Sequence, residues 1–320
     1  MFIMLFSVQP LHIPDGFLSI IVSILFWIVT IIIIGYALHR VSRDLDERRV
    51  PLMGLLAAAI FAGQMLNFTV IGGTSGHLMG AAIATILLGP WAAVLVMTTV
   101  VGVQALIFQD GGFLAMGANI FNMAIIGVAA SYFVYHSIRK LSNNKTIGLY
   151  IGAFLAAWIS IFIASLSVAL QLALSKTSPA NIAVPAMAGI HALIGIGEGL
   201  ITIGALSLIL AARPDFVRDS DHILSGGKMV WLGGAGLVVL LTVLSPLASS
   251  HPDGLERVAE NIGFLEFARK PLFSLLPDYQ IPGITNQSFA VILAGFLGAC
   301  IVGSAALLLA FIRHSKVSTK

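Results

Sequence analysis

Long apolar runs separated by short polar stretches dominate the chain. Eight of them are long enough to cross about 30 Å of hydrocarbon, which takes ~20 helical residues. They are residues 17–39, 51–69, 90–108, 113–135, 146–174, 184–212, 229–247 and 289–312. The pattern therefore predicts an all-α, polytopic membrane protein.

A ninth apolar run, 78–88, is too short to cross a membrane alone. It follows the Gly-rich loop VIGGTSGH (70–77) and is broken by GPW (89–91). This pattern predicts a short helix completed by irregular backbone, which is tolerated at membrane depth where it is buried in protein or lines a cavity. If this segment crosses, about seven helices lie before residue 212 and two after it.

The distribution of lysine and arginine bears on whether the ninth run crosses. With a crossing, thirteen of the 17 cations fall on one side and four on the other; without one, the division is eight to nine. Cytoplasmic loops carry the excess of cations, so a crossing is favoured. The prediction is a multi-pass protein of the cell (inner) membrane, with the N-terminus and the 248–288 loop extracytoplasmic and the C-terminus cytoplasmic.

Composition excludes several other classes of protein. The 320 residues are 58% hydrophobic and 10% charged, and the mean hydropathy of +1.00 does not fit a soluble domain. The net charge of +3 does not indicate a nucleic-acid partner, because the basic residues lie at the ends of apolar runs. The single cysteine, Cys300, lies inside an apolar run, so we expect neither a disulfide framework nor a cysteine-based metal cluster.

A charged, Gly-containing stretch divides the chain into two parts. RPDFVRDSDHILSGGK (213–228) has the composition of a cytoplasmic linker. It separates a first domain, 11–212, from a second, 229–312, whose two crossings bracket the 248–288 loop. In that loop Asp253 is predicted to cap a short amphipathic helix over 254–269.

Two histidines, His12 and His77, are the most informative polar residues. Both are predicted at the same membrane face, each beside a turn sequence (PDG and GG). Neutral imidazole is the commonest metal ligand, and a site built from nitrogens without cysteine suits nickel, copper or cobalt. The alternative for each histidine is a helix-end residue satisfied by backbone or water.

Further polar residues near these histidines have either a supporting or a purely structural role, since polar groups in a membrane are costly. Five such residues are predicted either to orient the ligating histidines or to form hydrogen bonds between helices. They are Asp15, Gln64, Asn67, Thr74 and Ser75. For Asp15 a cap on the first helix is an equal alternative.

Two features of the helices suggest packing or a different chemistry. His191 and Glu198 are seven residues apart, on one face of a helix, and are predicted to form a buried polar pair that joins helices. The small residues Gly54, Ala58 and Ala62 allow close helix approach, for ordinary packing or for a transmembrane partner.

Two rival functions remain open at this point. GTSG (73–76) is a short motif of the intramembrane serine protease type, with Ser75 as nucleophile and His191 as base. An ion-coupled secondary transporter would instead use Glu198 and His191 as a relay. No G-x-x-x-x-G-K-[ST] is present in the sequence, so ATP hydrolysis by a P-loop is excluded.

Several segments closely resemble one family of transport proteins. HIPDGFLS, FAGQMLNFTVIGGTSGHLMG, GANIFNMAIIG and GIHALIGIGEGLIT are similar to the CbiM/NikM substrate-specificity components of energy-coupling-factor (ECF) ABC transporters for cobalt and nickel. Residues 229–312, with HPDGLERVAE, resemble the CbiN/NikN component of the same systems. The resemblance implies an M–N fusion that is not an enzyme and captures Ni(II) or Co(II) as transported substrate, with a transmembrane coupling (T) subunit and ATP-binding subunits as partners.

The resemblance also implies a set of metal ligands. Carried over to this chain, they are the α-amine of Leu11, the backbone nitrogen and imidazole of His12, and the imidazole of His77. All-nitrogen planar coordination suits Ni(II), although cobalt remains possible. The family begins Met-His, whereas ten residues precede Leu11 here. An amide nitrogen has its lone pair delocalised, so we expect translation to start at residue 11, with a genuine extension as the alternative.

Overall fold

The computed structural model describes residues 12–44, 50–212, 228–273 and 275–317. The helices are α1 (Ile20–Asp44), α2 (Val50–Gln64), α3 (Ala81–Leu88), α4 (Pro90–Val103), α5 (Met116–Ile120), α6 (Gly127–Leu141), α7 (Thr146–Leu174), α8 (Ala180–Ala212), α9 (Lys228–Leu244), α10 (Gly254–Ile262) and α11 (Gln287–Val317). A two-stranded antiparallel hairpin, β1 (Phe68–Val70) and β2 (Thr74–Gly76), precedes α3. Most of the predicted 213–228 linker lies outside the described residues.

The long apolar runs form helices, which confirms the predicted all-α, polytopic membrane fold. Six helices of the described chain are long and apolar enough to cross a membrane. One predicted crossing, 51–69, is shorter than its apolar run, because α2 ends at Gln64. The predicted crossing 229–247 is formed by α9 together with a 3-10 turn over Ser245–Leu247. Irregular backbone after Gln64 leads instead into the β-hairpin.

The ninth apolar run forms the predicted short helix. α3 has eight residues, and Gly89 after it has φ 80° and ψ 169°, a conformation open mainly to glycine. Pro90 then starts α4, as proline suits a first helical position. The Gly-rich loop before α3 folds as the hairpin, in which Phe68 pairs with Gly76 and Val70 with Thr74.

Wide helical turns mark the chain on both sides of the 109–115 loop. α4 continues as a π-helical turn over Gln104–Phe108, and α5 runs through a second one, Phe121–Ile126, into α6. Such turns are rare in proteins overall, and those that occur often lie at functional sites. The second of these turns contributes Asn122 and Met123 to the wall of the cavity described below.

The second domain packs directly on the first. A Cβ on Gly54 of α2 would lie 2.5 Å from Leu307 and 2.9 Å from the carbonyl oxygen of Gly303, both on α11. The missing side chains let the two helices approach closely. The chain's own last helix thus covers the surface formed by Gly54 and Ala58. These two small residues serve internal packing and not a separate partner.

Two predicted helix caps have different outcomes. Asp253 caps α10, since its Oδ1 accepts the N–H of Glu256 at 2.7 Å. α10 ends at Ile262 and not at 269, because Gly263 takes a left-handed conformation with φ 91°. The prediction that Asp15 caps the first helix is wrong: Ser19 lies before α1, and its Oγ accepts the N–H of Val22 at 3.4 Å.

Candidate metal site

A cavity of about 90 Å³ lies where the N-terminal segment, the β-hairpin and the second domain meet. Its walls include His12, His77, Asn119, Asn122, His191 and Asp253. Four histidine and acidic side chains thus border one small space. They come from four separate parts of the chain, so no sequence motif contains them together.

The imidazole of His12 is buried and bonded on one side only. Its Nδ1 donates to Asp110, at 3.0 Å from Oδ1 and 3.2 Å from the backbone oxygen. Its Nε2 is buried without a hydrogen-bond partner. A carboxylate can only accept, so the proton lies on Nδ1 and the lone pair on Nε2.

The pKa of His12 reflects the same surroundings. Burial lowers this pKa, but the charge of Asp110 and its hydrogen bonds outweigh burial and raise the pKa above the ordinary 6.5. A cation that binds His12 therefore has to compete with a proton for the ring nitrogen.

His77 reaches the cavity from the loop between β2 and α3. Its Nδ1 donates to the carbonyl of Leu78 at 3.0 Å, which puts the lone pair on Nε2. The ring centroids of His12 and His77 are 5.7 Å apart, with planes at 73°. Two imidazoles on one ion span a separation of this order, because each metal–nitrogen bond is about 2.0–2.1 Å.

The loop that carries His77 is held by two buried side chains. Gln64 Nε2 donates to the carbonyl of Met79 at 2.8 Å. The carboxylate of Glu198 accepts the N–H of Met79 at 2.8 Å and that of Gly80 at 3.0 Å. These contacts do not fit the predicted Glu198–His191 pair, because Glu198 binds loop backbone at the N-terminus of α3, where a negative charge is favoured.

Two other polar residues hold the segment that carries His12. Asn119 pairs with Ile13, accepting its N–H at 3.0 Å and donating to its carbonyl at 3.0 Å. Asp15 accepts the N–H groups of Leu114 and Ala115, at 2.8 and 3.0 Å. Asp15 therefore fixes the 109–115 loop, which contains the Asp110 that bonds His12.

The loop of the second domain closes over the hairpin. The N–H and the hydroxyl of Ser75 donate to the carbonyls of Pro252 and His251, each at 2.8 Å, and Thr74 donates to Pro252 at 3.1 Å. Arg257 also donates to the carbonyl of Gly73. Thr74 and Ser75 thus bind the second domain and not the His77 ring. The loop also borders the cavity, through Asp253, Gly254 and Leu255.

The second domain also contributes to the cavity wall itself. Asp253 lines the cavity, and burial raises the pKa of its carboxyl to about 8. Gly254 lies against His191, since a Cβ there would come within 2.9 Å of the Nε2 of that histidine. Only glycine lets the backbone of α10 approach the ring so closely.

The described side chains do not form a complete cage for a metal. Within residues 12–44, 50–212, 228–273 and 275–317, no group of three or more His, Cys, Asp or Glu side chains is placed to hold one ion. His12 and His77 bring two imidazoles to the cavity, and Leu11 lies outside the described residues. Asn67 contacts the second domain through its backbone, because its carbonyl accepts the N–H of Ser249 at 2.8 Å.

The contacts of Ser75 and His191 differ from those of a serine protease. The hydroxyl of Ser75 donates to two backbone carbonyls, and Nδ1 of His191 bonds the carbonyl of Met187 in its own helix at 2.8 Å. Neither is the serine–imidazole hydrogen bond that activates a nucleophile. The hydroxyl instead joins the hairpin to the second domain.

Sequence reasoning missed Asp110, the residue that fixes the ring of His12. It stands two residues after the end of an apolar run and before two glycines, in FQDGG. An acid at the end of a membrane helix, next to backbone that can turn sharply, was a usable signal. Its partner could not be known, because His12 is 98 residues away along the chain.

Comparison with known proteins identifies the family. A family model described as the cobalt uptake substrate-specific transmembrane region, CbiM, matches residues 12–216. The chain belongs to the CbiM family. A second model, the PDGLE domain, matches residues 227–315, so the CbiM region is fused to a component of the CbiN/NikN kind.

Relatives with both parts cover nearly the whole chain. The fused nickel transport protein NikMN of Rhodobacter capsulatus is 29% identical over 333 residues, covering 91% of this chain and 95% of that protein. A protein of Archaeoglobus fulgidus, also named as a fused NikMN, is 36% identical over 295 residues with the same coverage. The crystal structure of a truncated transition metal transporter is 33% identical, with a TM-score of 0.56, and covers 63% of this chain and 99% of that one.

Proposed function

We propose that this CbiM-family protein is the substrate-binding membrane component of an ECF-type importer for Ni(II) or Co(II). It captures the metal at the extracytoplasmic face and passes it on when separate ATP-binding subunits and a transmembrane coupling subunit supply the energy. The fused nickel transport proteins among its relatives support this substrate class. The absence of a P-loop motif from the sequence supports separate ATP-binding subunits.

The observation that carries the proposal is the pair of imidazoles at one cavity. His12 and His77 approach to 5.7 Å between centroids, and both rings carry their proton on Nδ1. Imidazole nitrogen suits Ni(II) and Co(II). Asp253 adds a carboxyl whose ionised form a bound cation would favour.

The orientation of His12 bears on which of its atoms bind. A backbone nitrogen and the imidazole of one histidine can chelate a single ion only through Nδ1, since Nε2 points away from the backbone. Here Nδ1 donates to Asp110. Chelation by the backbone nitrogen and Nδ1 of His12 would therefore exchange this bond for one to the metal. The proposed ligands are the amine of Leu11, where the mature chain begins at that residue, the backbone nitrogen and imidazole of His12, and the imidazole of His77.

Metal analysis of the purified full chain tests this function. The protein should retain one Ni(II) or Co(II) per chain after removal of loosely bound ions, and a His12→Ala, His77→Ala double variant should retain none. Competition between the two ions then settles which is preferred. A purified chain that inserts correctly but retains neither ion would contradict the proposal.

A further inference from the structure

A second cavity lies at the same end of the bundle as the metal site. Its volume is about 170 Å³, the space of several water molecules at ~30 Å³ each. Its walls come from the turn before α1, the start of α1, the end of α7 and the second domain. The two cavities have no lining residue in common within the described part of the chain. This one is therefore a separate feature that the metal site does not use.

The segments around this second cavity are tied to one another. The N–H of Arg269, in the second domain, donates to the carbonyl of Asp15 at 2.7 Å. The hydroxyl of Thr177, just after α7, donates to the carbonyl of Phe17. Gly16 has φ 99°, and a Cβ there would lie 3.0 Å from Cγ of Arg269. The cavity is thus enclosed by packed segments of both domains.

The N-terminus of α1 supplies backbone donors to the cavity wall. Ser19 before the helix accepts the N–H of Val22 through its hydroxyl at 3.4 Å. The N–H groups of Ile20 and Ile21, in the first turn, have no acceptor within the helix. Such N–H groups, together with the helix dipole, favour a negatively charged group at this point.

The hydroxyl of Ser175 is a second, independent sign of a ligand. Ser175 lines the cavity, and its Oγ is buried with no hydrogen-bond partner among the described residues. A buried hydroxyl without a partner is unfavourable. An acceptor oxygen held in the cavity would satisfy it.

Basic residues are concentrated around the cavity. Arg269 lines it, Lys270 follows, and Lys176 stands between two lining residues of the turn after α7; all three are exposed. They are three of the four cations predicted at this end of the molecule, which usually carries few. Against them stand exposed Glu266 and the carboxylate of Asp15, which already accepts two backbone N–H groups. The net charge around the cavity is therefore positive.

We propose that this cavity binds a phosphate group, carried by a phospholipid of the surrounding membrane or by free phosphate. The planar guanidinium of Arg269 matches the geometry of phosphate oxygens. The N–H groups at the start of α1 and the hydroxyl of Ser175 supply further donors. A bound phosphate thereby joins α1 of the first domain to Arg269 of the second. The inference goes beyond the proposed transport function and does not depend on it.

The exposed face of α1 favours a lipid as the source of the phosphate. Ile21, Ile24 and Ile28 are each more than half exposed, and their spacing puts them along one side of the helix. Ile20, at the top of α1, lines the cavity itself. A phospholipid whose phosphate lies at the start of α1 therefore has an apolar surface on which to lay an acyl chain.

Thermal unfolding of the full chain in a non-ionic detergent tests the inference, because a ligand that binds the folded state raises Tm. The probes are dioleoyl phosphatidylglycerol, dioleoylglycerol, which has the same chains but no phosphate, and inorganic phosphate. Phosphatidylglycerol should raise Tm and dioleoylglycerol should not. Arg269→Gln should weaken the affinity for phosphatidylglycerol about tenfold, the effect of losing one charge-assisted hydrogen bond. Lys140→Gln, exposed on α6 near the start of α7, is the matched control and should bind as the parent does.

Ser175→Ala gives a second variant with an opposite effect in the two states. Without lipid, its Tm should equal or exceed that of the parent, because the change removes a buried hydroxyl that has no partner. With phosphatidylglycerol, its Tm should rise less than that of the parent, because the hydroxyl no longer bonds the phosphate. An equal rise in both proteins would exclude this hydroxyl as a donor and contradict the proposed site.

The remaining outcomes identify the ligand or overturn the site. If inorganic phosphate alone raises Tm and Arg269→Gln loses the effect, the site is confirmed and free phosphate is its ligand. If neither phosphate nor phosphatidylglycerol raises Tm, or if Arg269→Gln binds as the parent does, the inference is wrong. An equal loss in Lys140→Gln would show non-specific attraction to charge and would also overturn it. Failure of the parent chain to bind Ni(II) or Co(II) would contradict the transport function alone.

Discussion

The imidazole of His77 is the proposed ligand that comes from outside the N-terminal segment. Its loop is fixed by Gln64 and Glu198, which bond the backbone of Met79 and Gly80. Removal of the side chain should therefore spare the fold. His77→Ala should abolish retention of stoichiometric metal, because a site that loses one of few nitrogens no longer competes with solvent.

The control for this variant is His136→Ala, since His136 is an exposed residue on α6 far from the cavity. Metal content should be measured on both purified proteins, together with helix content. Metal content in His77→Ala equal to that of the parent would exclude the hairpin loop from the site.

The hydroxyl of Ser75 connects the hairpin to the second domain through His251 and Pro252. Ser75→Ala removes this bond but keeps the backbone bond from the same residue, so the expected cost is about 1–2 kcal/mol. Metal uptake should fall modestly, with exposed Ser288→Ala as control. Hydrolysis of any membrane substrate by the parent, lost in Ser75→Ala, would instead favour the protease alternative.

The short helix α3 and the loop before it depend on one buried carboxylate. Glu198 accepts two backbone N–H groups there, and Glu198→Ala would leave both without their acceptor in a buried position. We expect the free energy of unfolding to fall by on the order of 3 kcal/mol, with weaker metal retention because His77 loses its fixed loop. Thermal unfolding of the metal-free protein, against exposed Glu266→Ala, measures this.

The loop that contains α10 covers the hairpin and lines the cavity with Asp253. Deletion of residues 250–285 that keeps α9 and α11 removes Asp253 and Tyr279, whose hydroxyl donates to Asp110 Oδ2 at 2.6 Å. Metal uptake should fall at least tenfold, while His12 and His77 should still bind the metal weakly. Equilibrium binding and transport should be measured side by side. Unchanged transport would mean that this loop serves another purpose.

The start of the mature chain affects the whole site. A primary amine binds Ni(II) once it loses its ammonium proton, with a reference pKa near 7.7–8.0, whereas a peptide nitrogen has its lone pair delocalised. Intact-mass analysis of the native protein should therefore give a start at residue 11. A chain forced to keep residues 1–10 should bind nickel much more weakly than one that begins at residue 11.

The opposite result has a clear meaning. If the native chain begins at Met1 and binds nickel tightly, the amine of Leu11 is not a ligand. The remaining donors would then have to come from the cavity itself, where Asp253 and His191 line the wall beside His12 and His77.

The two domains form one packed molecule. α11 lies on α2 where Gly54 and Gly303 allow close approach, and the loop before α11 bonds both the hairpin and Asp110. The small residues on α2 were consistent with either internal packing or an external partner. The sequence could not decide between them, because such a surface fits any helix that matches its shape.

The sequence by itself determined the membrane fold and the short α3, and it singled out His12 and His77 as candidate ligands. Apolar length and turn residues act locally, and neutral imidazole is the commonest metal ligand. The tertiary structure alone decided what holds those histidines. Asp110, Glu198 and Tyr279 act on partners that are 98, 119 and 169 residues away, and a hydrogen bond between distant segments leaves no periodic trace in the chain. Only the packing of the helices and of the second domain brings these groups within bonding distance.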